Sequence, residues 1–370
     1  MSHTNKFYSL ERILQYKAKY NIIIGQRSNG KTYACLEKVL VDYVKSGKQG
    51  AYIRRFSEDL TKGRASTIFD GHISNNIIYE LTDGEYDRIK YESRKWYLAY
   101  YDEDLDKILA DDTPFMFAFA INDMEHDKST SYPGITNIIY DEFITRKFYL
   151  PNEFVLFANV LSTIIRLRDD VTIFMLANTV SKFCPYFKEM GLNNIQNMKK
   201  GTIDIYRYSD TALTVAVERC EIQKESRKSD IYFAFDNPQL EMITSGEWEF
   251  MIHPHLKPED KYKNSDIMYS FFIIFDNITL QGDVISQPLK NFIFIHEKTT
   301  PIKDMDKDLI FSPEFSTKDN IKTNLWRPDS KIGQKIKSYF VFNKVFYQNN
   351  EIGEVVHNYL NYCNKTMRME

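Results

Sequence analysis

The chain has 370 residues, with 48 basic and 51 acidic side chains and a net charge of −3. That length exceeds one comfortable hydrophobic core and predicts two domains, or one domain with a large extension. The near balance of charge argues against a protein that coats nucleic acid, so any basic surface must be local. The polar start, the short apolar runs and the scattered cysteines argue against a signal peptide, a membrane span, a zinc site and disulfides. We therefore expect a soluble cytoplasmic protein with reduced, buried thiols.

The first elements in chain order are a helix predicted over residues 9–19 and the segment 21–32, NIIIGQRSNGKT. This segment is an apolar strand that runs into a Walker A phosphate loop, in which glycines let the backbone close over a polyphosphate. We expect Lys31 to reach the β and γ phosphates and Thr32 to ligate Mg²⁺. The predicted nucleotide-binding residues of the loop are Gly25, Gln26, Arg27, Ser28, Asn29, Gly30, Lys31 and Thr32. Arg27 has two open interpretations, a phosphate contact in cis or a side chain in solvent.

After the loop we predict a helix over residues 32–45 and then a strand at 51–53, which ends in Arg54 and Arg55. Together with the first strand they form a strand-helix-strand unit, which predicts a parallel sheet. The next segment changes character. Short alternating runs at 76–81, 95–101 and 115–121 are separated by Asp, Gly and acidic stretches, and we expect them to be additional, in part antiparallel, strands.

The run ITNIIYDEF, residues 135–143, is an apolar strand that ends in two acids and matches the Walker B pattern. We expect Asp141 to hold the Mg²⁺ shell and Glu142 to orient and deprotonate water. Strands often end in an acid pair, so the interpretation depends on the phosphate loop found earlier in the same chain. An adjacent glutamate favours an ATPase over a kinase, and the absence of an NKxD motif disfavours GTP. A helix is predicted over 151–167, followed by a strand over 171–179, whose Asn178 is placed to sense the γ-phosphate.

Two arginines, Arg166 and Arg168, lie at the end of that helix. Arginines in this position of ring ATPases reach a neighbour's γ-phosphate, while the alternative is a surface pair that is favourable at a helix C-terminus. Three basic residues in polar loops are candidates for DNA contacts: Lys62, Arg64 and Lys128. Lys128 could equally face a neighbour's nucleotide or only water.

The β/α rhythm ends near residue 208, and we predict a P-loop ATPase domain over 1–208. Residues 209–260 are predicted to be a connector with little core of its own. Residues 261–370 are predicted to form antiparallel strands joined by Asp, Asn and Gly turns, with a closing helix over 353–367.

Six segments, in this order, resemble the DNA-packaging motor ATPases of phi-29-type tailed phages: GQRSNGKT, AYIRR, DKSTSYPGITNIIYDEF, YLPNEF, IIRLRDD and MLANTVSKFCPYF. The resemblance implies an ASCE-type ATPase related to the large terminases and to the FtsK/HerA translocases. Such proteins work as a ring, usually a pentamer, at the phage portal and drive double-stranded DNA into the prohead. By this resemblance Lys31 and Thr32 are the Walker A pair and Asp141 and Glu142 the Walker B pair. Arg166 is the trans-acting finger, with Arg168 as second choice.

The resemblance further implies ATP and Mg²⁺ as cofactors and a location in the host cytoplasm, transiently at the prohead portal. The implied fold class is α/β, a mostly parallel P-loop sheet followed by a connector and an α+β domain like a ribonuclease H nuclease without its catalytic acids. Asp276 and Asp283 make no convincing metal pair. Two alternatives stay open: a terminase whose C-terminal nuclease is active, and a P-loop NTPase with no DNA partner.

Overall fold

The computed structural model describes residues 8–123, 130–145, 149–179, 184–209, 211, 213–220, 253–256, 266–288 and 290–369. The chain divides into two compact units, each built on its own β-sheet. Among these residues, no helix is both long and apolar enough to cross a membrane. All four cysteines are buried thiols that form no disulfide, as predicted.

The first unit holds a sheet of 10 strands, ordered β3-β4-β6-β2-β7-β8-β1-β10-β9, with β5 paired to β4. Its strands are β1 (Tyr20–Gly25), β2 (Gln49–Arg54), β3 (Arg88–Glu92), β4 (Lys95–Asp102), β5 (Lys107–Ala110), β6 (Met116–Ala120), β7 (Ile135–Asp141), β8 (Thr172–Asn178), β9 (Thr202–Tyr208) and β10 (Leu213–Arg219). Its helices are α1 (Glu11–Leu14), α2 (Lys31–Ser46), α3 (Lys62–Ala65), α4 (Asp70–Ser74), α5 (Ile77–Leu81), α6 (Glu153–Ile165) and α7 (Pro185–Glu189).

The strands from β6 to β10 along this order are parallel, so the predicted mostly parallel sheet is confirmed. Helices on both faces bury such a sheet, which is why every residue of β7 is buried although the strand carries Thr, Asn and Asp. The strand order brings the ends of three strands together. Because β8 lies between β1 and β7, the carboxyl ends of these three strands meet at one edge of the sheet.

Helix α2 begins directly after the phosphate loop and packs its apolar stripe on the sheet through Cys35, Leu36, Val39 and Leu40, which are all buried. It ends at Gly47, whose φ of +68° places it in the left-handed region, where glycine carries no Cβ penalty. The amide of Gly47 donates to the Tyr43 carbonyl at 2.7 Å and closes the last turn.

Three predicted elements are wrong. Residues 76–81 form helix α5 rather than a strand, because a short apolar run fits either period and here Ile78 and Leu81 share a helical face. The first helix covers only Glu11–Leu14, since Lys17 adopts a left-handed φ of +50° before β1 begins. The connector predicted to begin at residue 209 contains β10, which pairs with β1 in parallel, so the first sheet extends to Arg219.

The second unit is a sheet of six strands, ordered β15-β14-β11-β12-β13-β16. The strands are β11 (Asp266–Phe275), β12 (Ile278–Gln287), β13 (Lys290–Glu297), β14 (Ile310–Phe311), β15 (Ile321–Lys322) and β16 (Val345–Tyr347). The first three form the predicted antiparallel meander, while β14 and β16 add to its two edges in parallel. Helices α8 (Lys331–Val341) and α9 (Asn350–Met369) complete the unit, and α9 contains the predicted closing helix.

Candidate active site

The phosphate loop joins β1 to α2, as its sequence predicts. Two of its residues have left-handed backbone, Ser28 with φ of +57° and Gly30 with φ of +92°. Gly25 is required for a different reason: a Cβ at this position would lie 2.8 Å from the Cβ of Cys220, which follows β10. The loop conformation therefore depends on glycine both for backbone freedom and for space.

The ammonium group of Lys31 is buried inside this loop. It donates to the Gln26 carbonyl at 2.8 Å, to Asn29 Oδ1 at 3.0 Å and to Asn178 Oδ1 at 3.2 Å. Burial lowers the pKa of Lys31, an effect that the nearby Cys220 and Asp141 oppose. The contact with Asn178 shows that the end of β8 reaches the loop, which sequence alone left undecided.

The carboxylate of Asp141, at the end of β7, is held on both oxygens. Its Oδ2 accepts from Thr32 Oγ1 at 3.1 Å and from the Tyr52 hydroxyl at 2.9 Å. Its Oδ1 accepts from the amide of Glu142 at 3.0 Å. Burial raises the pKa of Asp141, whereas Arg54 and the hydroxyl donors favour the charged form. The predicted metal-ligating pair, Thr32 and Asp141, is therefore assembled across two strand ends.

Glu142 leaves the strand in an unusual conformation. Its φ is +58°, a left-handed value uncommon for a residue with a side chain and typical of functional sites. The side chain is 58% exposed, and its Oε2 accepts from an Arg54 guanidinium nitrogen at 2.6 Å. The neighbouring Arg55 donates to the carbonyls of Glu142 and Phe143 at 3.2 and 2.7 Å. The end of β2 thus fixes both the backbone and the carboxylate of Glu142.

A cavity of about 240 Å³ opens between these groups. Its lining residues are Ser28, Asn29, Gly30, Lys31, Thr32, Tyr33, Asp141, Glu142, Ala177 and Asn178. The predicted Walker A, Walker B and sensor residues therefore meet around one space. Gly25 and Gln26 are buried in the loop behind it, and Arg27 is exposed.

Arg166 and Arg168 differ in their surroundings. Arg168 donates to the carbonyls of Tyr132, Pro133 and Ile135 and pairs with Asp170 at 3.0 Å. Arg166 has a left-handed φ of +45° and donates to the Thr130 carbonyl at 2.8 Å. Neither is among the described residues that line the cavity. Arg168 therefore ties α6 to the segment before β7.

Two of the candidates for DNA contact, Lys62 and Arg64, lie on the short helix α3. Lys62 is exposed on α3, while Arg64 pairs with Asp59 at 2.8 Å. Lys128 lies outside the described residues. Their role remains a prediction.

Sequence reasoning missed Tyr52, Arg54 and Arg55 as parts of this site. Tyr52 and Arg54 lie on β2 and Arg55 directly follows it. Since β2 pairs with β7 in parallel, the ends of the two strands are neighbours. Tyr52 and Arg54 share one face of the strand because side chains alternate. The arginine pair at a strand end was the available signal, but its use required the knowledge that β2 lies beside β7.

A phosphate loop that meets an acid pair at the carboxyl edge of a parallel sheet, with a polar strand end between them, defines the protein as one with a P-loop nucleotide-binding fold. The chain belongs to the podovirus DNA encapsidation protein (Gp16) family, whose profile matches residues 2–365. It is 27% identical over 298 residues to the DNA packaging protein of Bacillus phage phi29, covering 80% of each chain. It is 28% identical over 277 residues to that of Bacillus phage PZA, covering 74% of each chain. The fold also matches the bacteriophage Phi-29 viral genome packaging motor assembly, with a TM-score of 0.56 and 21% identity over 98% of this chain and 99% of that one.

Proposed function

We propose that this protein is the ATP-hydrolysing subunit of a motor that moves double-stranded DNA into the phage prohead. The observation that carries the proposal is the assembly of Lys31, Thr32, Asp141, Glu142 and Asn178 around one cavity. Family membership and the packaging proteins of phi29 and PZA support DNA as the load. We infer that the subunits form a ring, with five members expected, at the prohead portal, and that the protein reaches it from the host cytoplasm.

The residues present fit a magnesium ion. A threonine hydroxyl and a carboxylate lie 3.1 Å apart at the mouth of the loop, and hard oxygen donors of this kind suit Mg²⁺. Thr32 and Asp141 would hold it, and when bound it would neutralise charge on the β and γ phosphates. Tyr52 keeps the Asp141 carboxylate in its orientation.

The phosphate itself is received by the loop. Lys31 lines the cavity that a polyphosphate would fill, and its ammonium now donates to the Gln26 carbonyl and to two amide oxygens. Asn178 lies at the same point, and its side chain can exchange the lysine contact for a hydrogen bond to the γ-phosphate or to the attacking water. Loop amides at the start of α2 add further donors.

Glu142 is the general base of the proposed reaction. Its exposed carboxylate can accept a proton from water, but in this structure the Arg54 guanidinium occupies Oε2 at 2.6 Å. Release of Arg54 would make both carboxylate oxygens available to water. The same guanidinium lies 3.9 Å from Asp141 and 3.7 Å from Asp59, so these carboxylates offer it alternative partners.

We propose that Arg166 acts on the γ-phosphate of an adjacent subunit, with Arg168 holding α6 in place. A finger of this kind stabilises transition-state charge and increases the rate by about 10³ to 10⁵. Mixing provides the test. Arg166→Ala and Glu142→Ala subunits, each inactive alone, should restore hydrolysis when co-assembled, because some interfaces then combine an intact finger with an intact base. Persistent inactivity of the mixture would contradict action in trans.

For the second unit we propose a ribonuclease H-like domain without nuclease activity. Its meander extended by parallel edge strands supports the fold. The buried carboxylate of Asp283 accepts from Ser270 and Gln281, each at 2.8 Å, and lies 3.3 Å from His296. Nicking of plasmid DNA by the full chain in Mg²⁺ or Mn²⁺ would instead favour an active terminase nuclease.

The overall proposal is tested by ATP turnover in purified protein. We expect turnover to require an oligomer and to rise with double-stranded DNA. Turnover that is linear in protein concentration and indifferent to DNA would favour a P-loop NTPase with no DNA partner.

A further inference from the structure

Tyr8, shortly before α1, contacts both the phosphate loop and the end of β10. Its backbone amide donates to the Asn29 carbonyl of the loop at 2.9 Å. Its hydroxyl donates to Oε2 of Glu218 on β10 at 2.7 Å, across 210 positions of sequence. We refer to Tyr8, Glu218 and these two hydrogen bonds as the loop brace.

Glu218 is a buried carboxylate that the proposed reaction does not use. It is 2% exposed, and its backbone aligns with Ile23 of β1, the strand that leads into the loop. Burial raises the pKa of Glu218, while the hydrogen bond from Tyr8 and the Arg12 guanidinium, 3.6 Å from Oε1, oppose that rise. A buried carboxylate is costly unless it is hydrogen-bonded, so this position requires a donor such as Tyr8.

The side chain of Tyr8 is anchored in the first unit. Its half-buried ring packs against the hydrophobic core, and Leu10 and Ile13, which follow it, are buried in the same core. Burial and the Glu218 carboxylate raise the pKa of Tyr8 well above its ordinary value, so its hydroxyl keeps the proton and remains a donor. The brace therefore connects the loop to the core and to the sheet at once.

Asn29 connects the brace to the cavity. Its side-chain carbonyl accepts from the Lys31 ammonium at 3.0 Å and from the Lys31 amide at 3.2 Å. Ser28, directly before it, has a left-handed φ of +57°, a conformation that surrounding contacts must maintain in a residue with a side chain. A hydrogen bond from outside the loop to the Asn29 carbonyl restrains this stretch, and with it the position of the lysine ammonium.

A tyrosine near a nucleotide site can also contact the base directly. Neither Tyr8 nor Glu218 is among the described residues that line the cavity, and the Tyr8 hydroxyl already has a partner. An effect of these two residues on the ligand must therefore pass through the loop.

We propose that Tyr8 and Glu218 are positioning residues for the phosphate loop. They hold Asn29, and with it Lys31, in the arrangement that receives a polyphosphate before the ligand arrives. The inference rests on the proposed function for the identity of that ligand as ATP. A loop that is already ordered binds without the entropic cost of ordering, so the brace should increase affinity and leave the chemical step unchanged.

The test compares Tyr8→Phe with Tyr43→Phe in the full chain. Tyr8→Phe removes only the hydroxyl that donates to Glu218. Tyr43→Phe is the matched control, because the Tyr43 hydroxyl also donates to a carboxylate, that of Asp111 at 3.3 Å, at the opposite end of α2 from the loop.

Hydrogen exchange of the nucleotide-free chain measures the loop directly. We expect the amides of residues 26–31 to exchange at least about fivefold faster in Tyr8→Phe than in Tyr43→Phe, because the anchor of the brace has lost a hydrogen bond to a charged group. Exchange in β7 should be equal in the two variants. Equal exchange in the loop, or an equal increase in the loop and in β7, would overturn the proposal.

Calorimetry then measures the binding of ATP and of tripolyphosphate, each with Mg²⁺. In Tyr8→Phe both dissociation constants should rise by the same factor, at least about fivefold, while kcat for ATP changes by less than about twofold. A loss of affinity for ATP alone would indicate contact with the base and would contradict the proposal. A chain that binds both ligands without hydrolysing ATP counts against the proposed function and not against the brace.

Two changes at Glu218 separate the hydrogen bond from the packing. Glu218→Gln keeps an oxygen that can accept from Tyr8 and should match the unchanged chain in exchange and in binding. Glu218→Leu removes the acceptor and should match Tyr8→Phe. If the Gln variant behaved like the Leu variant, the hydrogen bond from Tyr8 would not be the cause and the proposal would fail.

Discussion

The Tyr52 hydroxyl provides a sensitive test of the proposed metal site. Tyr52→Phe removes one of the two hydroxyl donors to Asp141 Oδ2 and leaves the ring, which packs edge-on against Trp96 at 5.9 Å. Loss of a group that orients a metal ligand typically lowers metal affinity by about 10- to 100-fold. Thr32 and the Glu142 amide still hold the carboxylate in this variant. We therefore expect the Mg²⁺ affinity to fall by the lower end of that range, about tenfold, which corresponds to about 1.4 kcal/mol of binding free energy.

The assay is steady-state ATP hydrolysis as a function of Mg²⁺ concentration. The concentration at half-maximal rate should rise about tenfold in Tyr52→Phe, while the rate at saturating Mg²⁺ changes little. Tyr91→Phe is the matched control. It removes another buried hydroxyl, which donates to the Leu60 carbonyl at 2.8 Å, from a ring that also packs against Trp96. The same Mg²⁺ requirement in both variants would refute a role for Tyr52 in holding Asp141.

The same variant should change the pH dependence. Burial raises the pKa of Asp141, and the hydrogen bond from Tyr52 opposes that rise because it favours the charged form. Removing the hydroxyl should raise the pKa further. Activity that needs the carboxylate is then lost at a higher pH as the solution is acidified, so the acid limb of the rate profile should shift upward in Tyr52→Phe and stay in place in Tyr91→Phe.

The other predictions concern four side chains. Arg168→Ala should lower the free energy of unfolding by about 1 to 3 kcal/mol, because three carbonyls lose a charged donor; thermal or urea denaturation measures this. Arg166→Ala should abolish ATP hydrolysis with little change in the free energy of unfolding. If Arg166→Ala lost stability and Arg168→Ala lost activity, the roles of the two arginines would be exchanged. Glu142→Gln should keep ATP binding but slow hydrolysis at least about 100-fold, and wild-type turnover would remove it as the base. Burial lowers the pKa of His72 to about 4, so the unfolded chain binds a proton more readily than the folded one. The free energy of unfolding should therefore fall by at most about 3 kcal/mol as the pH drops from about 6.5 to 4. In His72→Phe, the free energy of unfolding should depend less on pH over this range.

The phosphate loop and the acid pair could be found from sequence because their spacing and flanking apolar strands are local properties. Lys31, Thr32, Asp141 and Glu142 all lie where their motifs place them. The role of Asn178 was harder to predict, because Asn178 reaches the phosphate loop only if β8 lies between β1 and β7. Strand order is a property of the whole sheet and not of the local sequence. Sequence could also not distinguish Arg166 from Arg168, since the difference lies in the carbonyls that surround each guanidinium.

Two of the mistakes have a common physical origin in long-range pairing. The charged segment after residue 208 looked like a connector because β10 has polar neighbours in sequence, yet it gains its stability from β1, which lies near the start of the chain. Arg54 was passed over because its partner, Glu142, is distant in sequence and adjacent only through the pairing of β2 with β7. The helix at Ile77–Leu81 is the exception, a short local run in which tertiary packing chose between two periods.

The position of β1 has a consequence for how the protein is made. This strand leaves the ribosome early, but Tyr20 aligns with Ile173 on one side and with Val215 on the other. At about 5 to 20 residues per second, roughly 10 to 40 s of synthesis separate the strand from its second neighbour. Until then its apolar residues lack a finished sheet, so the phosphate loop reaches its folded surroundings only after β10 has been synthesised.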